Sequence, residues 1–320
     1  MAHPLAPQLE YNFSSKTKKK KNRGSLAAPI FLEVSMEKIE LFDEHGNSRG
    51  FYSTANILND LTGKEWLYWT KSVIDKPYPP NLCHKLRNQH GGQKPPDLCA
   101  DLIKVFTKEG QVVLDPLMGV GGTLLGASLA GRRAIGIELE PRWIEIYREV
   151  CKRENLAVQT TYQGDSRKIL GALADDSIDL VLTDVPYWNM DKLPKSTGFY
   201  KKVGERAKPK IKTELGDFND RPLQSKEEWL SELREIFSLL WKPLKGGRYM
   251  AVFVGDLYNK GEYHCLSAEL ALMLKSIGYT MKANLIWHDR AKSLHIYGYQ
   301  YTYIPSLIHQ NVLIFQKPCD

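Results

Sequence analysis

The stretch that most restricts how this chain can fold is Leu180-Val181-Leu182-Thr183-Asp184-Val185-Pro186-Tyr187-Trp188. An apolar run stopped by a proline turn reads as a central parallel strand. Past its carboxyl end come a carboxylate, a turn and two aromatic rings. Open α/β sheets place their chemistry at that point. A carboxylate beside a stacking ring suits a flat substrate that bears an amine.

Alternating strands and helices surround this stretch. His90-Gly91-Gly92-Gln93-Lys94-Pro95-Pro96 leads into a helix through Phe106, with Leu98, Leu102, Ile103 and Phe106 on one face. A strand then ends at Asp115 and turns through Pro116-Leu117-Met118-Gly119-Val120-Gly121-Gly122-Thr123. Glycines let a backbone turn tightly and approach a ligand, and the helix that follows aims free N–H groups at it. This turn is not a P-loop, because Gly-Lys-Ser/Thr is missing. The next strand, Ala134–Glu138, ends in an acid about twenty residues beyond the glycines, where a carboxylate can accept hydrogen bonds from ribose hydroxyls. A third strand-end acid is Asp165, followed by Ser166; it is placed either to meet an adenine amine or to cap the next helix. After residues 189–224 the alternation resumes, with helices over about 226–240 and 266–277 and strands over 248–256, 280–288 and 311–316.

The chain has 320 residues, 42% hydrophobic and 25% charged, which is ordinary for a globular protein and enough for one large α/β domain or two smaller ones. No apolar run approaches the roughly 18 residues of a membrane helix. The N-terminal lysine run has no apolar core behind it, so no secretory signal is expected and the expected location is cytoplasmic. Five cysteines stand apart without a CxxC, so neither a disulfide framework nor a zinc knuckle is expected, and no metal is called for. The net charge of +7 is compatible with a polyanionic partner.

Residues 1–27 hold the run Lys16–Arg23 without apolar periodicity and read as a basic disordered arm, either a solvated tail or a sequence-blind phosphate contact. Residues 28–89 read as an N-terminal extension and a candidate target-recognition element. Within it, Ile30–Val34 and Ile39–Phe42 resemble hairpin strands, Asp43–Asn47 a turn, and Thr62 with Glu65 a capping box; Trp66 and Trp69 read as core. Residues 189–224 break the rhythm of the 90–320 domain. Lys192, Lys201, Lys202, Arg206, Lys208 and Lys210 lie there among Phe199, Tyr200 and Phe218. This mixture fits either a loop that grips nucleic acid, with Trp188 at its start, or a solvated lysine-rich loop.

Together these features resemble the amino-group DNA methyltransferases that use S-adenosylmethionine, from about His90 to the C-terminus. Val113–Thr123 is similar to that family's cofactor loop. Gln93-Lys94-Pro95-Pro96 is similar to its segment that closes over the methionine part, and Asp184-Val185-Pro186-Tyr187 to its catalytic Asp/Asn/Ser-Pro-Pro-Tyr motif. Val185 departs from that pattern, which loosens the turn but keeps a backbone carbonyl. The resemblance implies a doubly wound, mostly parallel, seven-stranded Rossmann-like sheet with an antiparallel edge strand. It implies cofactor contacts from Lys94, Pro95, Asp115, Pro116, Met118, Gly119, Gly121, Thr123, Glu138, Leu139, Asp165, Ser166 and Asp184.

It further implies methylation of an exocyclic amine on a base flipped out of duplex DNA, since such an amine is out of reach inside the stack. Asp184 and the Val185 carbonyl would accept its two hydrogens, and Tyr187 would stack on the ring. Aspartate at the first motif position favours adenine N6 over cytosine N4. A restriction endonuclease is a candidate partner. Two other readings remain: an RNA base-amine methyltransferase, and a non-catalytic nucleic-acid-binding protein on a degenerate fold of this kind.

Overall fold

The computed structural model describes residues 37–186, 188, 225–259, 261–292, 294, 303 and 305–319. The unit Met1–Ser35, with the basic arm, lies outside them, as do residues 189–224.

The described chain opens on a hairpin, β1 (Lys38–Phe42) with β2 (Ser48–Ser53). The Asp43 carboxylate closes its turn by accepting from the amides of His45 at 2.9 Å and Asn47 at 2.8 Å. The expected turn is therefore present, but the strand that pairs with 38–42 follows it; Ile30–Val34 lies outside the described residues. Helix α1 (Gly63–Trp69) begins at the capping box, with the Thr62 side chain accepting from the Glu65 amide and Glu65 from the Thr62 amide. Trp66 is not core: it is 41% exposed, whereas Trp69 packs partly buried against the main cluster.

The short β3 (Val73–Ile74) and α2 (His84–Arg87) lead to α3 (Pro96–Phe106), which buries Leu98, Leu102, Ile103 and Phe106 as its periodicity predicts. There follow β4 (Val112–Asp115), α4 (Gly122–Leu129), β5 (Arg133–Glu138), α5 (Pro141–Arg153), β6 (Thr160–Gln163), α6 (Ser166–Ile169) and β7 (Ile178–Asp184). The C-terminal part supplies α7 (Lys226–Leu239), β8 (Leu244–Val254), a small hairpin of β9 (Leu257–Asn259) and β10 (Glu262–His264), α8 (Leu266–Ile277), β11 (Thr280–His288) and β12 (His309–Gln316).

The main sheet runs β3-β11-β12-β8-β7-β4-β5-β6. It is doubly wound and mostly parallel, with β12 antiparallel to both neighbours. Two details differ from expectation. There are eight strands, because two residues of β3 join the outer side of β11. The antiparallel strand lies inside the sheet, between β11 and β8. Burial explains the placement: Val312, Leu313, Ile314 and Phe315 are all buried, and alternate residues point to opposite faces, so both faces of β12 are covered.

Helices α3, α4 and α5 cover one face of the sheet, and α7 and α8 cover the other. Strand β7 divides its side chains between these layers, Leu180 and Leu182 to the first and Val181 to the second. The chain runs outward from β4 through β5 to β6, then returns to β7 on the other side of β4. The carboxyl ends of β4 and β7 therefore flank the switch point, where a doubly wound sheet opens a crevice. Those ends are Asp115 and Asp184. None of the described helices is long and apolar enough to cross a membrane.

Candidate active site

The glycine turn after β4 is wedged among three neighbours. Gly121 caps α4 in the left-handed region at φ +75°, and a Cβ there would lie 2.4 Å from the Tyr147 ring. A Cβ on Gly122 would lie 2.9 Å from the Lys94 carbonyl oxygen. The amide of Gly119 donates to the Glu138 carboxylate at 2.8 Å, and that of Met118 to the Ile137 carbonyl at 3.0 Å. The turn and the end of β5 are thus fastened together, with Leu139 following the acid.

Burial dominates the electrostatics here. It pushes the Glu138 carboxyl up to about 7, against the donated amides of Glu140 and Gly119. It pushes Asp115 up to about 6, although Asp115 accepts from the Thr183 hydroxyl at 2.7 Å and the Leu117 amide at 3.1 Å. The Thr123 hydroxyl donates to the Leu182 carbonyl at 3.3 Å, and the Ser166 hydroxyl donates to the Pro116 carbonyl. Asp165 caps α6 by accepting from the Arg167 amide at 2.9 Å, and the Arg167 guanidinium holds its carboxyl below the usual range. Arg167 also pairs with Glu232 of α7.

Asp184 ends β7 with its side chain 21% exposed, and it forms an ion pair with Lys94. Lys94 is buried just before α3, with its Nζ 5.4 Å from the centre of the Phe253 ring; Pro95 is the N-cap of that helix. Val185 is 1% exposed and packs into the core beneath α7, so its side chain does not face the crevice. Its amide donates to the Phe253 carbonyl at 3.3 Å. The Pro186 carbonyl accepts from the Trp229 indole at 2.6 Å. Trp188 meets His264 edge to face at 5.1 Å, and its buried Nε1 has no hydrogen-bond partner among the described residues. Tyr187 and the basic residues Lys192, Lys201, Lys202, Arg206, Lys208 and Lys210 lie outside the described residues.

The structure thus brings together Lys94, Asp115, the glycine turn, Glu138, Ser166 and Asp184, all at the carboxyl edge of β4, β5, β6 and β7. It adds residues that no motif singles out: Trp229, Phe253, His264 and Arg167. His90 belongs with them. Its ring packs edge-on against Trp143 at 4.8 Å and sits 3.0 Å from where a Gly119 Cβ would be. Burial lowers its pKa to about 4, so it is neutral at pH 7.

The DNA methylase family of the N6/N4 type matches residues 8–149 and 178–318. Among curated proteins, the chain is similar to the type II methyltransferase M2.DpnII of Streptococcus pneumoniae, 37% identical over 105 residues, which is 32% of this chain and 36% of that protein. It is also similar to a tRNA (guanine(10)-N2)-dimethyltransferase of Methanothermobacter thermautotrophicus, 30% identical over 105 residues, 32% of this chain and 30% of that one. The chain thus spans about a third of the length of these relatives. Among solved structures, TrmN from Thermus thermophilus is similar at 14% identity and a TM-score of 0.45, over 72% of this chain and 52% of that one. With the family profile matched on both sides of the β6 region, the chain belongs to the N6/N4 DNA methylase family.

Proposed function

We propose that this chain transfers a methyl group from S-adenosylmethionine to an exocyclic base amine of DNA, adenine N6 in preference to cytosine N4, on a base swung out of the duplex. The observation that carries the reading is the placement of Asp184 beside the glycine turn at the switch point, with Asp115 and Thr183 joining the two strand ends.

The residues present fit that cofactor. Gly121 and Gly122 hold the turn tightly at the strand ends, since side chains there would strike the Tyr147 ring and the Lys94 carbonyl. Glu138 would accept from ribose hydroxyls, and Asp165, besides capping α6 and pairing with Arg167, from the adenine amine, with Met118, Leu139 and Ser166 as further contacts. Lys94 and Pro95 would hold the methionine part. When bound, the cofactor supplies an electrophilic methyl group on a sulfonium.

A base amine is a poor nucleophile because its lone pair is delocalised into the ring. Asp184 accepts one N–H and the Val185 carbonyl accepts the other, which favours a tetrahedral nitrogen with its lone pair free to attack. Positioning for in-line displacement supplies much of the rate. Formation of the N–C bond would be balanced by release of the spent cofactor as its neutral thioether. The nitrogen then sheds its surplus proton through Asp184 to water. Tyr187 and Trp188 hold the base, and the lysine-rich 189–224 connection holds phosphates through charge. The names of the type II relatives make a restriction endonuclease the natural partner to look for.

Relatives that act on tRNA support one other reading, methylation of an RNA base amine. Incubation with methyl-labelled cofactor and either duplex DNA or tRNA, then digestion to nucleosides, separates the two. Labelled N6-methyladenine from DNA supports the proposal, and label in RNA alone overturns it.

A further inference from the structure

We propose that Trp229 is a positioning residue for the catalytic turn, and that it works together with the Val185 amide in place of the rigid ring a proline at 185 would supply. The proposal rests on the methyl-transfer reading above. Proline fixes φ near −65° and offers no N–H. Valine leaves φ free, so a turn carrying the acceptor carbonyl of residue 185 needs another restraint.

The structure places one on each side of that carbonyl. The Val185 amide donates to the Phe253 carbonyl of β8 at 3.3 Å, a bond proline could not make. One residue on, the Pro186 carbonyl accepts from the Trp229 indole at 2.6 Å. Trp229 is fully buried, so its Nε1–H has to find a protein partner, and the turn is the one it finds.

Its helix is itself held at two points. Ser225 and Glu228 form a capping box at the start of α7, one turn before Trp229. Three residues further on, Glu232 pairs with Arg167, which in turn holds Asp165. Positions 229 and 232 lie on the same side of the helix. The indole therefore reaches the turn from a scaffold anchored beyond it.

The test compares wild type with Trp229→Phe, with benzothienylalanine at 229, and with each of these changes combined with Val185→Pro. The sulfur isostere keeps the bicyclic volume and removes only the donor, so it reports on the hydrogen bond even where the smaller ring disturbs packing. Three quantities are read: turnover on DNA, cofactor affinity by calorimetry and, in the proteins that keep Val185, hydrogen exchange at its amide. Loss of the donor is expected to slow turnover roughly tenfold, the equivalent of one hydrogen bond. It should leave cofactor affinity within about twofold and speed exchange at Val185 about tenfold. Adding Val185→Pro should recover most of the lost turnover, because the ring restores the restraint. Unchanged turnover and exchange in the isostere variant, or a combined variant no faster than the single one, overturns the proposal. If wild type moves no methyl group at all, the methyl-transfer reading fails, and the exchange measurement still decides whether Trp229 restrains the turn.

Discussion

Thr183 donates its hydroxyl to the Asp115 carboxylate at 2.7 Å, tying the carboxyl ends of β7 and β4 together at the switch point of the sheet. Both residues are buried, Thr183 at 0% and Asp115 at 3% exposure. Replacing Thr183 by Val keeps the shape and removes the donor from a carboxyl that burial already pushes up to about 6. The loss should destabilise the fold by about 1–3 kcal/mol and raise the Asp115 pKa further. Urea unfolding and a carboxyl NMR titration measure the two effects.

Glu138 predicts a pH dependence of both stability and cofactor binding. Burial moves its pKa from the usual 4.5 to about 7. The folded state therefore holds the proton more tightly than the unfolded state between these values. Its contribution to stability is present below pH 4.5 and is lost as pH rises through 7. The gap corresponds to about 3 kcal/mol. Glu138→Gln should remove this part of the slope and leave the part that Asp115 contributes below about pH 6. Ribose hydroxyls donate best to the ionised form, so cofactor affinity should rise between pH 6 and 8 in wild type and stay level in the variant. Denaturation and calorimetry across that range provide the check.

Gly121→Ala should be among the most damaging single changes in the turn. The residue sits at φ +75°, and the new Cβ would lie 2.4 Å from the Tyr147 ring. A left-handed alanine costs about 1 kcal/mol, and displacing a buried ring adds roughly 1–3 more. Thermal melting should show the loss, and calorimetry should find cofactor binding weakened at least tenfold.

Lys94→Met separates the ion pair from the rest of its arm. Methionine fills most of the buried space but takes the Lys94 ammonium away from Asp184. Because Asp184 is partly exposed, the expected stability cost is about 1–2 kcal/mol, below that of a fully buried pair. Turnover should fall more than stability, since Asp184 carries the proposed chemistry, and Lys94→Arg should recover part of it. Steady-state rates alongside melting curves distinguish these effects.

The strand-end acids were legible because each follows an apolar run and precedes a turn, a pattern that local sequence carries by itself. Asp115, Glu138 and Asp184 stand where that pattern puts them. The capping box at Thr62 and the buried face of α3 were readable for the same reason. What could not be read depends on contacts between distant segments. Trp229 lies 43 residues from Pro186, and nothing local distinguishes its indole from an ordinary core ring. The ion pair joins Lys94 to Asp184 across 90 residues. The interior place of β12 follows from pairing with β8 and β11, which its own apolar run does not reveal. Asp165 illustrates a choice that local reading leaves open, and the structure shows it capping α6 and paired with Arg167.

The most direct test of methyl transfer through Asp184 is a single labelling experiment on wild type and Asp184→Ala. Each is incubated with methyl-labelled S-adenosylmethionine and duplex DNA, the DNA is digested, and the nucleosides are separated, with cofactor affinity measured in parallel. The expected result is labelled N6-methyladenine from wild type, a loss of at least about a thousandfold in the variant, and cofactor affinity within about twofold of wild type. Undiminished labelling by Asp184→Ala, or no labelled base from wild type that binds the cofactor, would contradict the account.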